Sequence, residues 1–183
     1  ARHASLSDRP STANHLLKYF RTVWNHARRV YELPESPTNA IEWFEERPAV
    51  RIIEDLAQWG RVVADLDNPI HKVYYELLLF TGLRRTEALS LEWKNVHDDR
   101  IHLPMTKNGR SFDLPILDEH HAILSPVRGL GRKWVFPSPK SATGFLGRPE
   151  RMAWSPHIHR RTFATVAMEA GVMEEIVGRL LNH

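Results

Sequence analysis

Asn68-Pro69-Ile70, Leu77-Leu78-Leu79-Phe80-Thr81-Gly82 and Leu83-Arg84-Arg85-Thr86-Glu87-Ala88-Leu89 read in turn as a helix start, a helix stop, and an arginine ahead of a second helix. Ile70, Val73, Tyr74, Leu77, Leu78 and Phe80 recur at helical spacing. Asparagine is suited to cap the start and proline to occupy the first helical position. Gly82 is the residue best able to adopt the left-handed conformation that closes a helix. Glu87, Ala88, Leu89 and Leu91 then resume a short helical run, which puts Arg84 in the turn between two helices. Helix starts point unpaired N–H groups outward and favour anions.

The same logic applies further along the chain. Ser155-Pro156 supplies a cap and a first-position proline, and Gly171 a stop. His157 and Arg160, three apart, share one face of that first turn, with Phe163, Val166, Ala167 and Ala170 expected on the buried side. A last helix from about Met173 to Leu181, with Met173, Ile176, Val177 and Leu180 inward, delivers His183 just past its end. Between these helices the period changes to two. Ile101 and Leu103 alternate, as do Phe112 and Leu114, around the hairpin signal Asn108-Gly109, with Lys107 at the tip. Residues 125–155, rich in Gly, Pro and Arg around Trp134-Val135-Phe136, read mostly as loop. The fold class is therefore mainly α with a small antiparallel β-sheet, α+β.

Towards the start, residues 1–10 read as a polar lead without fixed structure. Leu16, Phe20, Val23, Ala27 and Val30 predict an amphipathic helix of about five turns. Leu33-Pro34-Glu35-Ser36-Pro37 reads as a linker, since two prolines so close end a helix. Residues 1–37 are thus expected to be the lead, the tail helix of a larger N-terminal domain and the linker, and residues 38–183 the main domain. Ile52, Ile53, Leu56 and Trp59 predict a further helix ending at Gly60.

The 183 residues are enough for one domain with a sizeable core. With no cysteine, disulfides and thiolate catalysis drop out. No run is long enough for a membrane span and the first residues do not follow signal-peptide order, so a cytoplasmic protein is expected. A net charge of +3 from 25 basic and 22 acidic residues, with pI near 9.4, leans mildly toward nucleic acid. The clusters Arg28-Arg29, Arg84-Arg85, Lys107 to Arg110, Arg128 to Lys133 and Arg160-Arg161 carry more weight, because they fall at segment junctions.

These residue types suit phosphoryl chemistry. Attack on a phosphodiester builds charge on the nonbridging oxygens, and a guanidinium grips two of them at once. The leaving 5′ oxygen is a strong base and needs a proton, for which Lys107 is a candidate. His157 can take a proton from a nucleophile or donate to a phosphate oxygen. No metal or cofactor is required. Blander readings exist: Arg84 can pair with Glu87 three residues on, and His157 and Arg160 can sit at the helix start for other reasons. A cation there opposes the helix dipole, however, and calls for an anion. His157 and His159 diverge on a helix, so His157, His159 and His183 make a poor zinc set.

The combined pattern resembles the tyrosine recombinase, or phage integrase, family. Residues 78–89, Leu-Leu-Phe-Thr-Gly-Leu-Arg-Arg-Thr-Glu-Ala-Leu, look like its first arginine box. Thr106-Lys107-Asn108-Gly109-Arg110 looks like its hairpin lysine, and His157-Ile158-His159-Arg160-Arg161-Thr162-Phe163-Ala164-Thr165 like its second box. Leu180-Leu181-Asn182-His183 looks like the segment bearing its last histidine. The resemblance covers roughly residues 50–183 and implies the tyrosine recombinase catalytic-domain fold. It also implies site-specific cleavage and rejoining of double-stranded DNA through a 3′-phosphotyrosine, with higher-order assembly on the DNA. By that resemblance Arg84 and Arg160 clamp the scissile phosphate, Lys107 protonates the leaving oxygen, His157 and His183 assist, and Glu87 supports. His159 stands where the family has leucine, and Asn182 where it has glycine. The family's nucleophilic tyrosine lies beyond the last histidine, whereas Tyr19, Tyr31, Tyr74 and Tyr75 all precede Arg84. A catalytic domain cut before its nucleophile is expected. A noncatalytic DNA-binding regulatory module is the alternative, and a type IB topoisomerase a weaker one.

Overall fold

The run from Val73 to Leu79 has almost no polar side, and a helix of that kind belongs inside a protein. A computed structural model, which describes residues 3–46, 51–106 and 109–182, buries it nearly completely, leaving only Glu76 partly exposed. In chain order the elements are α1 (Pro10–Ala27), α2 (Leu56–Ala64), α3 (Pro69–Thr81), α4 (Arg85–Leu89), β1 (Arg100–Leu103), β2 (Phe112–Pro115), α5 (Asp118–Leu124), α6 (Pro156–Glu169) and α7 (Glu174–Leu180). The fold is mainly α with one small antiparallel sheet. It divides into two compact units, Ala1–Val50 and Arg51–His183.

In the larger unit α3 is the axis, with α2, α4, α5 and α6 packed on it and α7 packed on α6. Its start and stop follow the local signals. Asn68 Oδ1 accepts from the Ile70 N–H at 2.9 Å, Pro69 takes the first position, and Gly82 adopts φ 64°. β1 and β2 pair with Ile101 opposite Leu114 and Leu103 opposite Phe112, which turns Ile101, Leu103 and Leu114 into the core. The connection is longer than a two-residue turn, since β1 ends at Leu103 and β2 begins at Phe112. Gly109 nevertheless takes φ 72°, and its N–H donates to Thr106 O at 2.9 Å. Lys107 and Asn108 lie outside the described residues. The stretch expected as loop contributes Val135 and Phe136, both fully buried.

Several expectations need correction. The helix expected to end at Gly60 begins at Leu56, capped by Asp55, whose Oδ1 accepts from Gln58 N–H at 2.8 Å, and runs through Gly60 to Ala64. In α6 the buried residues are His159, Arg160 and Thr162, while Val166 is 44% exposed. Met173, just before α7, and Ile176 within it face outward and Val177 inward, because α6 covers only one stripe of so short a helix.

In the smaller unit α1 forms with the expected length but turns a different face inward. Ala13, Asn14 and Leu17 are buried, whereas Val23 is 69% exposed. Asn14 decides this orientation: its amide donates to Phe44 O and Glu46 Oε1, each at 2.8 Å, and accepts from Phe44 N–H at 3.1 Å. Nor are residues 3–10 shapeless, for His3 is buried, stacked on Phe44 at 4.4 Å, and helix starts at Pro10. The proline pair lies along α1, with Trp24 Nε1–H donating to Pro34 O and Arg21 bonded to the buried Thr38.

Gly82 gives a test of this packing. A Cβ there would lie 2.5 Å from Leu181 Cδ2 and 2.8 Å from Phe163 Cδ1, at a φ that side-chain-bearing residues disfavour. Gly82→Ala is expected to cost about 1–3 kcal/mol, measured by urea denaturation; wild-type stability would show that the close approach of α3, α6 and α7 is wrong.

Candidate functional site

Each of the two arginines singled out by the sequence is placed near the start of a helix, Arg84 at the cap of α4 and Arg160 one turn into α6. Arg84 precedes α4, and its N–H donates to Glu87 Oε2 at 2.9 Å while its Nη1 donates to Glu87 Oε1 at 2.9 Å. The bland pairing of Arg84 with Glu87 therefore exists, but the carboxylate is 8% exposed and also caps the helix. Arg84 Nη2 reaches across to Asn182 O at 3.1 Å. Arg160, in the second turn of α6, donates from Nη1 to Gly82 O at 2.7 Å and from Nη2 to Leu181 O.

The two guanidiniums thus meet at the α3–α4 turn and the end of α7. Arg160 is only 8% exposed, and its bonds to Gly82 and Leu181 end on neutral carbonyls. Desolvation, then repulsion from Arg84, pushes its pKa down to about 10, against an opposing pull from Glu87. It remains a cation at neutral pH. Among the described residues one carboxylate faces two guanidiniums, so the cluster carries an excess positive charge in a partly desolvated place, which favours an anion.

His157 stands exposed in the first turn of the same helix. Burial, then the charges of Arg161 and Arg160, lowers its pKa, so its imidazole is neutral at pH 7 and able to accept a proton. Lys107 and His183 lie outside the described residues. The chain leading to His183 is described: Leu181 and Asn182 offer their carbonyls to Arg160 and Arg84. Asn182 has φ 53°, a conformation that glycine adopts freely and asparagine tolerates better than most residues. That accounts for asparagine standing where the resemblance leads one to expect glycine.

His159 diverges from His157 and enters the core, fully buried. Its Nε2 accepts from Trp59 Nε1–H at 2.9 Å, and Nδ1 lies 3.0 Å from Ser155 O. An indole can only donate and a carbonyl only accept, so the ring is neutral with its proton on Nδ1. Thr162, three residues on, donates to Ile158 O and accepts from Ile53 N–H, both at 2.9 Å. Sequence reasoning missed this pair, because Trp59 and Ile53 lie about a hundred residues away and leave no local pattern.

Tyr74 and Tyr75 belong to the core. Burial raises the pKa of both phenols, and Tyr75 Oη donates to Glu150 O, so neither is poised as a nucleophile.

The sequence profile described as phage integrase family matches residues 62–183. The chain belongs to that family. It is 31% identical over 156 residues to prophage integrase IntF of Escherichia coli K12, covering 71% of this chain and 32% of the relative. It is 28% identical over 145 residues to tyrosine recombinase XerA of Saccharolobus solfataricus, covering 75% and 50% respectively. The chain thus spans about a third to a half of the length of these relatives. Its fold is similar to that of a lambda integrase (residues 75–356) dimer bound to a COC′ core site, at TM-score 0.74 and 14% identity over 99% of this chain and 76% of that one. Among the described residues no helix is long and apolar enough to cross a membrane.

For this integrase-family chain the buried histidine yields a pH test. Burial lowers the His159 pKa from its ordinary value of 6.5, so its contribution to stability is full above about pH 6.5 and is lost as pH falls toward the folded-state value. His159→Leu is expected to cost about 1–3 kcal/mol at pH 7.5 through the orphaned Trp59 donor, and to flatten the fall in stability between about pH 7 and pH 5. An unchanged slope in chemical denaturation would contradict a neutral buried His159.

Proposed function

We propose that this chain carries the phosphate-holding part of a tyrosine-type site-specific recombinase acting on double-stranded DNA. The observation that supports it most is the convergence of Arg84 and Arg160 on one small region with, among the described residues, a single carboxylate between them. A tyrosine oxygen attacks the phosphorus, forming the phosphotyrosine bond as the bond to the 5′ oxygen breaks, and that oxygen leaves with a proton. The reverse step, with a 5′ hydroxyl from another strand, rejoins the DNA and frees the tyrosine. Bond energy is retained in the phosphotyrosine, so no ATP is consumed, and the guanidiniums neutralise the charge that a metal would otherwise meet.

In this reading Arg84 and Arg160 hold the nonbridging oxygens and Glu87 fixes Arg84. His157, neutral at pH 7, accepts the proton of the attacking hydroxyl. Lys107 protonates the leaving oxygen, and His183 contacts the phosphate. The nucleophile is neither Tyr74 nor Tyr75. DNA as partner, and assembly of several copies on it, draw support from lambda integrase, whose solved forms include a dimer on a core site and a tetramer on a Holliday junction.

The test is a single-turnover cleavage assay with the complete gene product and a duplex bearing its crossover site. The wild type is expected to form a detergent-stable covalent adduct. Arg84→Ala and Arg160→Lys are each expected to slow its formation about 10²- to 10³-fold, with a much smaller change in DNA affinity. Arg160→Lys keeps the charge but loses the two-pronged grip. Adduct formation at the wild-type rate in either variant overturns the assignment, whereas DNA binding without any adduct favours a noncatalytic DNA-binding module.

A further inference from the structure

Beside the candidate site lies a depression of about 440 Å³ whose walls include Arg85, Arg148, Arg151 and Ser155. Arg85 directly follows Arg84 in the chain, and Ser155 and Pro156 directly precede His157, so the depression borders the site. All three arginines are exposed. Nothing among the described residues pairs with the side chains of Arg148 and Arg151. The one acid of their loop, Glu150, is engaged with His71 at 3.4 Å. Three guanidiniums outnumber that one carboxylate, so the cluster carries net positive charge and is favourable when it meets an anion.

The loop bearing Arg148 and Arg151 is firmly seated. Arg85 Nη2 donates to Gly147 O at 3.1 Å, Tyr75 Oη donates to Glu150 O, and Met152 and Trp154 pack against the core. The backbone that carries Arg148 and Arg151 is therefore held in place before any ligand arrives. We infer that this depression is a second anion site, which binds a DNA backbone phosphate flanking the one held by Arg84 and Arg160. The inference rests on the recombinase reading above. Successive phosphates of one strand advance about 3.4 Å along the duplex axis, so a strand lying across Arg84 and His157 carries neighbouring phosphates past the depression. Arginine forks suit phosphate oxygens, and no base-reading group is needed. Such binding is sequence-independent and serves to fix the register of the DNA.

The test compares the complete wild-type gene product with an Arg148→Gln, Arg151→Gln double variant, using duplexes with and without the crossover site. The expected result is a slope of log affinity against log salt that is shallower by about 0.9 for each phosphate the variant no longer neutralises. The change is equal on both duplexes, as expected of a contact that reads no bases. An unchanged salt slope with normal cleavage overturns the second anion site while leaving the recombinase reading intact. A wild-type protein that fails to bind or cleave DNA overturns the recombinase reading, and this inference with it. A second measurement needs no variant: neutral methylphosphonate placed singly at the phosphates flanking the scissile position is expected to weaken wild-type binding at one of them at least, and no effect at any of them overturns the site.

Discussion

The buried guanidinium of Arg160 is the constraint on which the larger unit depends. A cation in a place only 8% exposed is costly unless its donors are satisfied, and here two carbonyls answer it, Gly82 O from the end of α3 and Leu181 O from the end of α7. Those bonds tie the α3–α4 turn, α6 and α7 to one another. The same turn presents Arg84, and the same end of α7 presents Asn182. Structural and chemical demands therefore fall on one residue: Arg160 closes the fold and, by being short of negative charge, makes its surroundings receptive to an anion.

Behind that residue stands a polar layer within the core. His159 and Thr162 flank Arg160 on α6 and reach Trp59 and Ile53, so that α2 and the segment before it are fastened to the helix carrying the site. Tyr75 stacks on the His159 ring at 5.3 Å and also holds the loop of Arg148 and Arg151. One small group of buried polar side chains thus sets both the pitch of α6 and the seat of the neighbouring basic loop. Satisfied buried polar groups of this kind favour one arrangement over its near alternatives, because each misplacement leaves a donor or acceptor unpaired.

Much of this was readable from the chain, and the parts that were not share a cause. Asn68, Pro69 and Gly82 act through local backbone chemistry, so the bounds of α3 and the placement of Arg84 followed directly. The alternation at Ile101, Leu103 and Leu114 disclosed the hairpin for the same reason. Residue faces were less legible. Val166, Met173, Ile176 and Val23 continue a helical period yet face outward, since which stripe is buried depends on partners distant in sequence. Asn14 and His159 are the converse, polar residues taken inside because Phe44, Glu46, Trp59 and Ser155 complete their hydrogen bonds. The family motifs marked Arg84, His157 and Arg160, but only the folded chain reveals that the arginines are anchored on carbonyls.

The most direct measurement is a structure of the complete gene product on its DNA crossover site. The predicted result places nonbridging oxygens of one scissile phosphate within about 3 Å of guanidinium nitrogens from both Arg84 and Arg160. A scissile phosphate bound elsewhere, with Arg160 held only by Gly82 and Leu181, would contradict it.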